Sequence, residues 1–230
     1  MLPNPFSLDA RRRRLLKKAP AGPLKDFLSV PFPAPRTPVR QVPILALDFE
    51  TTGLDPEGDH LLSVGHVEIV SGRVELVTAC HRIVRSPHPL DGGNVAIHQL
   101  TDDQIAAGLP LEQVMDELLR KLAGKVLLAH NARIETGFLR AICRRLYGLA
   151  PVFPVIDTLA LARRRLEATG QPIQGNELRL FNLRAARNLP RYRAHDALCD
   201  AIATAELFIV QVGNRAGRRV PPLQNFLTGH

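Results

Sequence analysis

The chain has 230 residues, 45% of them apolar, and a formal net charge of +8. That length suits one domain with flanking segments, at about 100–200 residues per domain, and no apolar run approaches the roughly 20 residues of a membrane span. The opening residues, MLPNPFSLDARRRR, place charge after a short, weakly apolar stretch, the reverse of a secretory signal.

The charge is unevenly placed. Residues 1–43 carry nine Lys/Arg against two Asp, or +7, and residues 214–230 carry three Arg and no acid, or +3. Residues 44–213 therefore sum to −2, and the basic character belongs to the ends. Nine of the 19 prolines also fall in residues 1–43, where PFPAPRTPVRQVP suits neither a regular helix nor a central strand. Residues 1–42 read as a basic, Pro-rich extension with one short helix near Asp9–Lys18 that Pro20 stops. Residues 43–213 read as the folded domain and 214–230 as a basic tail. Basic ends suit a polyanionic partner through counterion release, and equally a solubilising role. On the first reading, deleting residues 1–40 weakens binding and flattens its salt dependence. Cys80, Cys143 and Cys199 are scattered, odd in number and without metal-ligand spacing, as in reduced thiols of a cytoplasmic protein.

From Pro43 the elements alternate. Ile44–Phe49 is a short apolar strand. Leu61–Val70 and Val74–Val84 read as strands joined by a hairpin turn at Ser71-Gly72. Leu111–Leu122 has helical periodicity, with Leu111, Val114, Met115, Leu118, Leu119 and Leu122 on one face. Val126–Ala129 is a buried strand. Ala132–Leu146, Asp157–Ala168 and Ala197–Val212 read as helices, and Leu178–Asn188 as a shorter one. This order argues for an α/β fold with a mixed sheet and helices packed on it.

Three segments concentrate acids in apolar surroundings. In ILALDFETTGLDP, Asp48 and Glu50 are two apart on a strand and so project from one face. In LLAHNARIETGFL, Asn131 is placed to cap a helix on which Glu135, Leu139, Ile142 and Leu146 form one stripe, so Glu135 faces inward. In RAHDALCDAIATAEL, Asp200 shares a stripe with Ala203, Thr204 and Leu207. His195, five residues earlier, falls on the preceding loop or first turn, where a near-neutral pKa suits a general base. Buried carboxylates gathered at one point repel each other unless divalent cations hold them. His130 reads as a hydrogen-bonded structural histidine and Asp157 as a helix N-cap. The Thr51-Thr52-Gly53 turn offers N–H groups and hydroxyls to a sugar or phosphate oxygen.

ALDFETTGLDP, LLAHNARIETGFL and RAHDALCDAIATAELF, in this order, resemble the three motifs of the DnaQ-like (DEDDh) 3′–5′ exonucleases, a family that includes the proofreading epsilon subunit of bacterial replicative polymerase. The resemblance spans roughly residues 43–212, and VIDTLALARR also looks family-like. It implies a ribonuclease H-like fold, a mixed sheet of about five strands with helices on both faces. It implies two divalent cations, Mg2+ or Mn2+, about 3.5–4 Å apart, held by Asp48, Glu50, Glu135 and Asp200, with His195 as the base. Thr51 would hold the terminal 3′-hydroxyl and Leu54 would wedge beside the last base. The implied substrate is a single-stranded or frayed 3′ end, DNA favoured over RNA, and a polymerase subunit is a further candidate partner. Two positions depart from the pattern. Glu135 stands where the family carries Asp, and His98-Gln99 where many relatives have His-Gly. The competing readings are a nucleic-acid-binding module with weak or lost catalysis, which rests on Glu135, and a polymerase-associated proofreader.

Overall fold

The computed structural model describes residues 7–86, 101–170, 172–213 and 220–228; His98-Gln99 lies outside them. β1 (Ile44–Thr51), β2 (Leu61–Val70) and β3 (Arg73–Ile83) are followed by β4 (Val126–Ala129) and β5 (Val155–Asp157) in one sheet of order β3-β2-β1-β4-β5. β1 runs antiparallel to β2, β2 antiparallel to β3, and β4 and β5 run parallel to β1. This is the mixed five-stranded sheet that the resemblance implied. The β2–β3 turn is at Ser71-Gly72, with φ of 53° and 74°, as a two-residue hairpin of the right twist requires.

The helices are α1 (Leu8–Leu16), α2 (Pro23–Ser29), α3 (Asp102–Ala106), α4 (Leu111–Leu122), α5 (Arg133–Tyr147), α6 (Thr158–Ala168), α7 (Leu180–Ala185) and α8 (Ala197–Gly213). They cover both faces of the sheet. On one face Leu45, Leu47 and Phe49 of β1 pack with α4 and α5; on the other Ile44 and Ala46 pack with Phe208 and Val212 of α8. The long helices lie within a residue or two of the stretches their periodicity marks. α2 and α3 carry local start signals in Pro23 at the first turn and a Thr101–Gln104 capping box, but they are too short for periodicity to mark.

The ends pack differently from a simple extension and tail. α1 starts at Ser7, whose hydroxyl accepts the Ala10 N–H, and its Arg12 is buried, donating to the Leu28 carbonyl. Leu24, Phe27 and Leu28 of α2 are buried in the same core as α4 and α5. At the other end Leu223, Phe226 and Leu227 are buried against α8, and Thr228 N–H donates to the Val155 carbonyl at 2.9 Å. Prolines and charge dominate the composition of both ends, and the apolar residues between them find partners only in the folded domain. Among the described residues no helix is long and apolar enough to cross a membrane, and Cys80, Cys143 and Cys199 are free thiols.

Candidate active site

The acids meet where β1 ends. Alternation along β1 sends Leu47 and Phe49 to the α5 face and Asp48 and Glu50 to the α8 face. Asp200 arrives from the first turn of α8. One ligand atom each from Asp48, Glu50 and Asp200 lie within 4.8 Å of one another. Glu135 is only 2% exposed and lies on the inward stripe of α5 with Leu139 and Ile142, but it stands outside that three-residue group. Its charge nonetheless reaches Asp48.

The cost of this gathering is visible in the titration of the acids. Burial holds the Asp48 carboxyl well above the usual range, and Glu135, Asp200, Glu50 and Asp196 each add to the effect. Burial pushes Glu135 up to about 8, with Asp157 adding to it. Burial also pushes Asp200 up to about 7, with Glu50 and Asp196 adding while the backbone N–H of His195 and the charge of Arg184 oppose. Among the described residues Glu135 Oε2 and Asp200 Oδ1 are buried without a hydrogen-bond partner. Carboxylates in this state are the ordinary ligands of a hard divalent cation, and the residues present fit one.

His195 lies on the loop before α8, exposed, with a left-handed φ of 65°. Its backbone N–H donates to Asp200 Oδ2 at 3.2 Å. Thr51 is buried and its hydroxyl donates to the Gly53 carbonyl at 2.6 Å, closing the turn after β1. Leu54, at the tip of that turn, is 74% exposed, a large apolar side chain left in solvent. His130 is structural: its ring nitrogens lie 2.8 Å from the Thr158 hydroxyl and 2.9 Å from the Leu178 carbonyl.

Asn131 does not cap α5. It has a φ of 65°, and the cap position is Ala132, without a side-chain bond of its own. Asp157 does the work from the neighbouring strand. Its Oδ1 accepts the N–H groups of Asn131 at 3.0 Å and Leu159 at 2.9 Å, and Oδ2 that of Ala132 at 3.2 Å. One carboxylate thus serves two helix starts, α6 by sequence and α5, which carries Glu135, only through the fold.

Sequence reasoning missed two further supports. Gly65 of β2 sits opposite Asp48, and a Cβ there would overlap the backbone of Ala197 and Leu198. A glycine inside a strand was the available signal. The other is Arg184, which is 1% exposed. It donates to the carbonyls of Ala203 at 2.7 Å and Pro190 at 3.0 Å and to Glu206 Oε2 at 2.8 Å. Its guanidinium lies 4.7 Å from the centre of the Tyr192 ring, and the Tyr192 hydroxyl donates to Glu206 Oε1 at 2.8 Å. This network ties the loop bearing His195 to α8, and no sequence spacing marks it.

The RNase_T family model, described as Exonuclease, matches residues 45–208. The chain belongs to that exonuclease family. The PolC-type DNA polymerase III of Thermotoga petrophila is 32% identical over 165 residues, 72% of this chain and 11% of that protein. The DNA polymerase III subunit epsilon of Haemophilus influenzae is 29% identical over 187 residues, 77% of this chain and 69% of that protein. The chain thus spans about a tenth of the PolC-type relative and most of the epsilon subunit. Among solved structures, exonuclease X in complex with 5′ overhanging duplex DNA superposes with a TM-score of 0.58 at 24% identity, covering 80% of this chain and 98% of that one. That likeness gives the exonuclease family its fold here, the ribonuclease H-like sheet. Membership in the family implies divalent metal at the acidic cluster.

Proposed function

We propose that the protein hydrolyses 3′-terminal phosphodiester bonds of nucleic acid, DNA in preference to RNA, and releases nucleoside 5′-monophosphates in the cytoplasm. The observation that carries this reading is the convergence of Asp48, Glu50 and Asp200 within 4.8 Å at the end of a buried strand. Asp48, Glu50 and Asp200 would hold the cations, two Mg2+ or Mn2+, with Glu135 completing the set from α5. When bound, the cations activate water and stabilise the charge on the leaving 3′-oxygen.

The chain's own residues do the rest. His195, exposed on its loop above Asp200, takes the proton of the attacking water. The turn closed by Thr51 offers its backbone and hydroxyl to the terminal 3′-hydroxyl. Leu54 supplies an apolar edge against the last base, which fits its exposure. Ala at Asp48 or Asp200 abolishes hydrolysis, and His195→Ala slows it by about 10²–10⁴. The substrate is a single-stranded or frayed 3′ end. A polymerase is the candidate protein partner, in keeping with the relatives' names, and co-purification tests it.

The deciding experiment digests 3′-labelled and 5′-labelled single-stranded DNA, duplex DNA and RNA side by side, with and without Mn2+. Loss of 3′ label first, with mononucleotide products, is the expected result. Retardation of the oligonucleotides without shortening would instead favour a binding module. The position of Glu135 outside the three-carboxylate group is the observation on that side.

A further inference from the structure

α1, α5 and the segment around β5 line a second feature, an open cavity of about 280 Å3 bordered by Arg11, Arg133, Thr136, Arg140, Phe153 and Asp157, among others. Three of these residues carry guanidinium groups, all exposed. Several of their neighbours are paired with acids. Arg12 and Arg13 pair with Asp9, and Arg144 pairs with Glu57 at 2.8 Å. Among the described residues the side chains of Arg11, Arg133 and Arg140 have neither an ion pair nor a hydrogen bond. Asp157 is the acid in the lining, and its oxygens are already taken by backbone N–H groups from the starts of α5 and α6.

Three exposed guanidinium groups in one lining, against the single carboxylate of Asp157, give the cavity a net positive surface that attracts an anion. Arg133 and Arg140 lie on the same face of α5, seven residues apart, while Glu135 lies near the opposite face and serves the acidic cluster. The cavity therefore sits on the far side of the same helix start from the candidate active site. Arg11 comes from α1, outside the residues 45–208 that match the family model. The third arm of this groove is thus supplied by the N-terminal segment, which the packing of α2 holds in place.

We propose that this groove binds phosphates of the single-stranded nucleic acid substrate away from its 3′ end. The inference rests on the nuclease reading for the identity of the strand. Guanidinium groups bind phosphate oxygens through paired N–H donors, and three of them, from two helices, line this groove. The groove then lengthens the contact with substrate without touching the reacting bond.

The test uses the full chain and a 5′-labelled single-stranded oligonucleotide, with binding followed by fluorescence anisotropy in EDTA so that no hydrolysis intervenes. Arg133→Ala/Arg140→Ala is compared with Arg120→Ala/Lys121→Ala, which removes the same charge from α4. The expected result is about tenfold weaker binding in the first variant, with the salt slope reduced by about 0.7 per lost contact. Arg11→Ala shows a smaller change of the same kind. Equal affinity and slope in the two double variants overturns the proposal, because the effect is then one of net charge. A small chromogenic phosphodiester, too short to reach the groove, is hydrolysed by the groove variants at the wild-type rate. If the wild type hydrolyses neither that ester nor the oligonucleotide, the nuclease reading falls, while the anisotropy comparison still decides the groove.

Discussion

Gly65 on β2 lies directly opposite Asp48 on β1, and the backbone of Ala197 and Leu198 fills the space a side chain at 65 would occupy. The missing Cβ sets how closely α8 approaches the sheet, and so how closely Asp200 approaches Asp48. Gly65→Ala pushes the first turn of α8 outward. Because a displacement of about 1 Å at reacting groups costs on the order of 10² in rate, kcat should fall by that order. Overpacking should cost about 1–3 kcal/mol of stability, read as a lower Tm. Wild-type turnover in this variant would show that the contact does not position Asp200.

Cation binding is expected to stabilise the fold. At one hundred times the dissociation constant a single bound ion contributes about 2.7 kcal/mol. Mn2+ or Mg2+ added to EDTA-treated protein should raise Tm, and Asp48→Asn should cancel the rise. A rise of the same size in Asp48→Asn would place the ion elsewhere.

Tyr192 should act on catalysis through the loop that carries His195. Tyr192→Phe removes the hydroxyl that donates to Glu206 and leaves the ring against Arg184. Losing a hydrogen bond at this partly exposed site costs about 0.5–1.5 kcal/mol. The expected result is a lower kcat with KM unchanged and a small fall in Tm. A changed KM with intact kcat would argue that the loop touches substrate instead of positioning His195.

His66 makes the protein sensitive to acid. Burial pushes its imidazole down to about 4, with Lys121 adding and Glu68 opposing. The folded protein therefore prefers the neutral ring, while the unfolded chain takes up a proton below about 6.5. Stability from this group is complete above that value and is lost as pH falls toward 4. The full loss is up to about 3 kcal/mol. Denaturant midpoints measured between pH 7 and pH 4 should fall more steeply in the wild type than in His66→Gln.

Deleting residues 1–40 should unfold the protein and cannot report on binding alone. The deletion removes Leu24, Phe27, Leu28 and Val39 from the core, including the contact of Phe27 with Phe153 at 5.4 Å between ring centres. At about 1.5–3 kcal/mol for each buried side chain, four such losses reach the 5–15 kcal/mol typical of a whole domain. A deletion variant with wild-type Tm would show that the N-terminal helices add nothing to the core. Salt dependence is therefore read from the arginine substitutions.

Much of this molecule is legible along the chain because local spacing fixes it. The two-residue period puts Asp48 and Glu50 on one face of β1, and the helical period turns Glu135 and Asp200 inward, whatever else surrounds them. The paired hairpin residues, the helix spans and the acid motifs are all short-range patterns of this kind. The remainder depends on residues far apart in sequence. Spacing cannot show that Asp157 caps the helix carrying Glu135, that Gly65 admits α8, or that Arg184 holds the loop of His195. It also cannot show that Glu135 stands beside the other three acids instead of among them, or that a Pro-rich, basic start contributes Leu24, Phe27 and Leu28 to the core. Those facts follow from which faces bury each other, and burial is decided only when the whole chain has closed on itself.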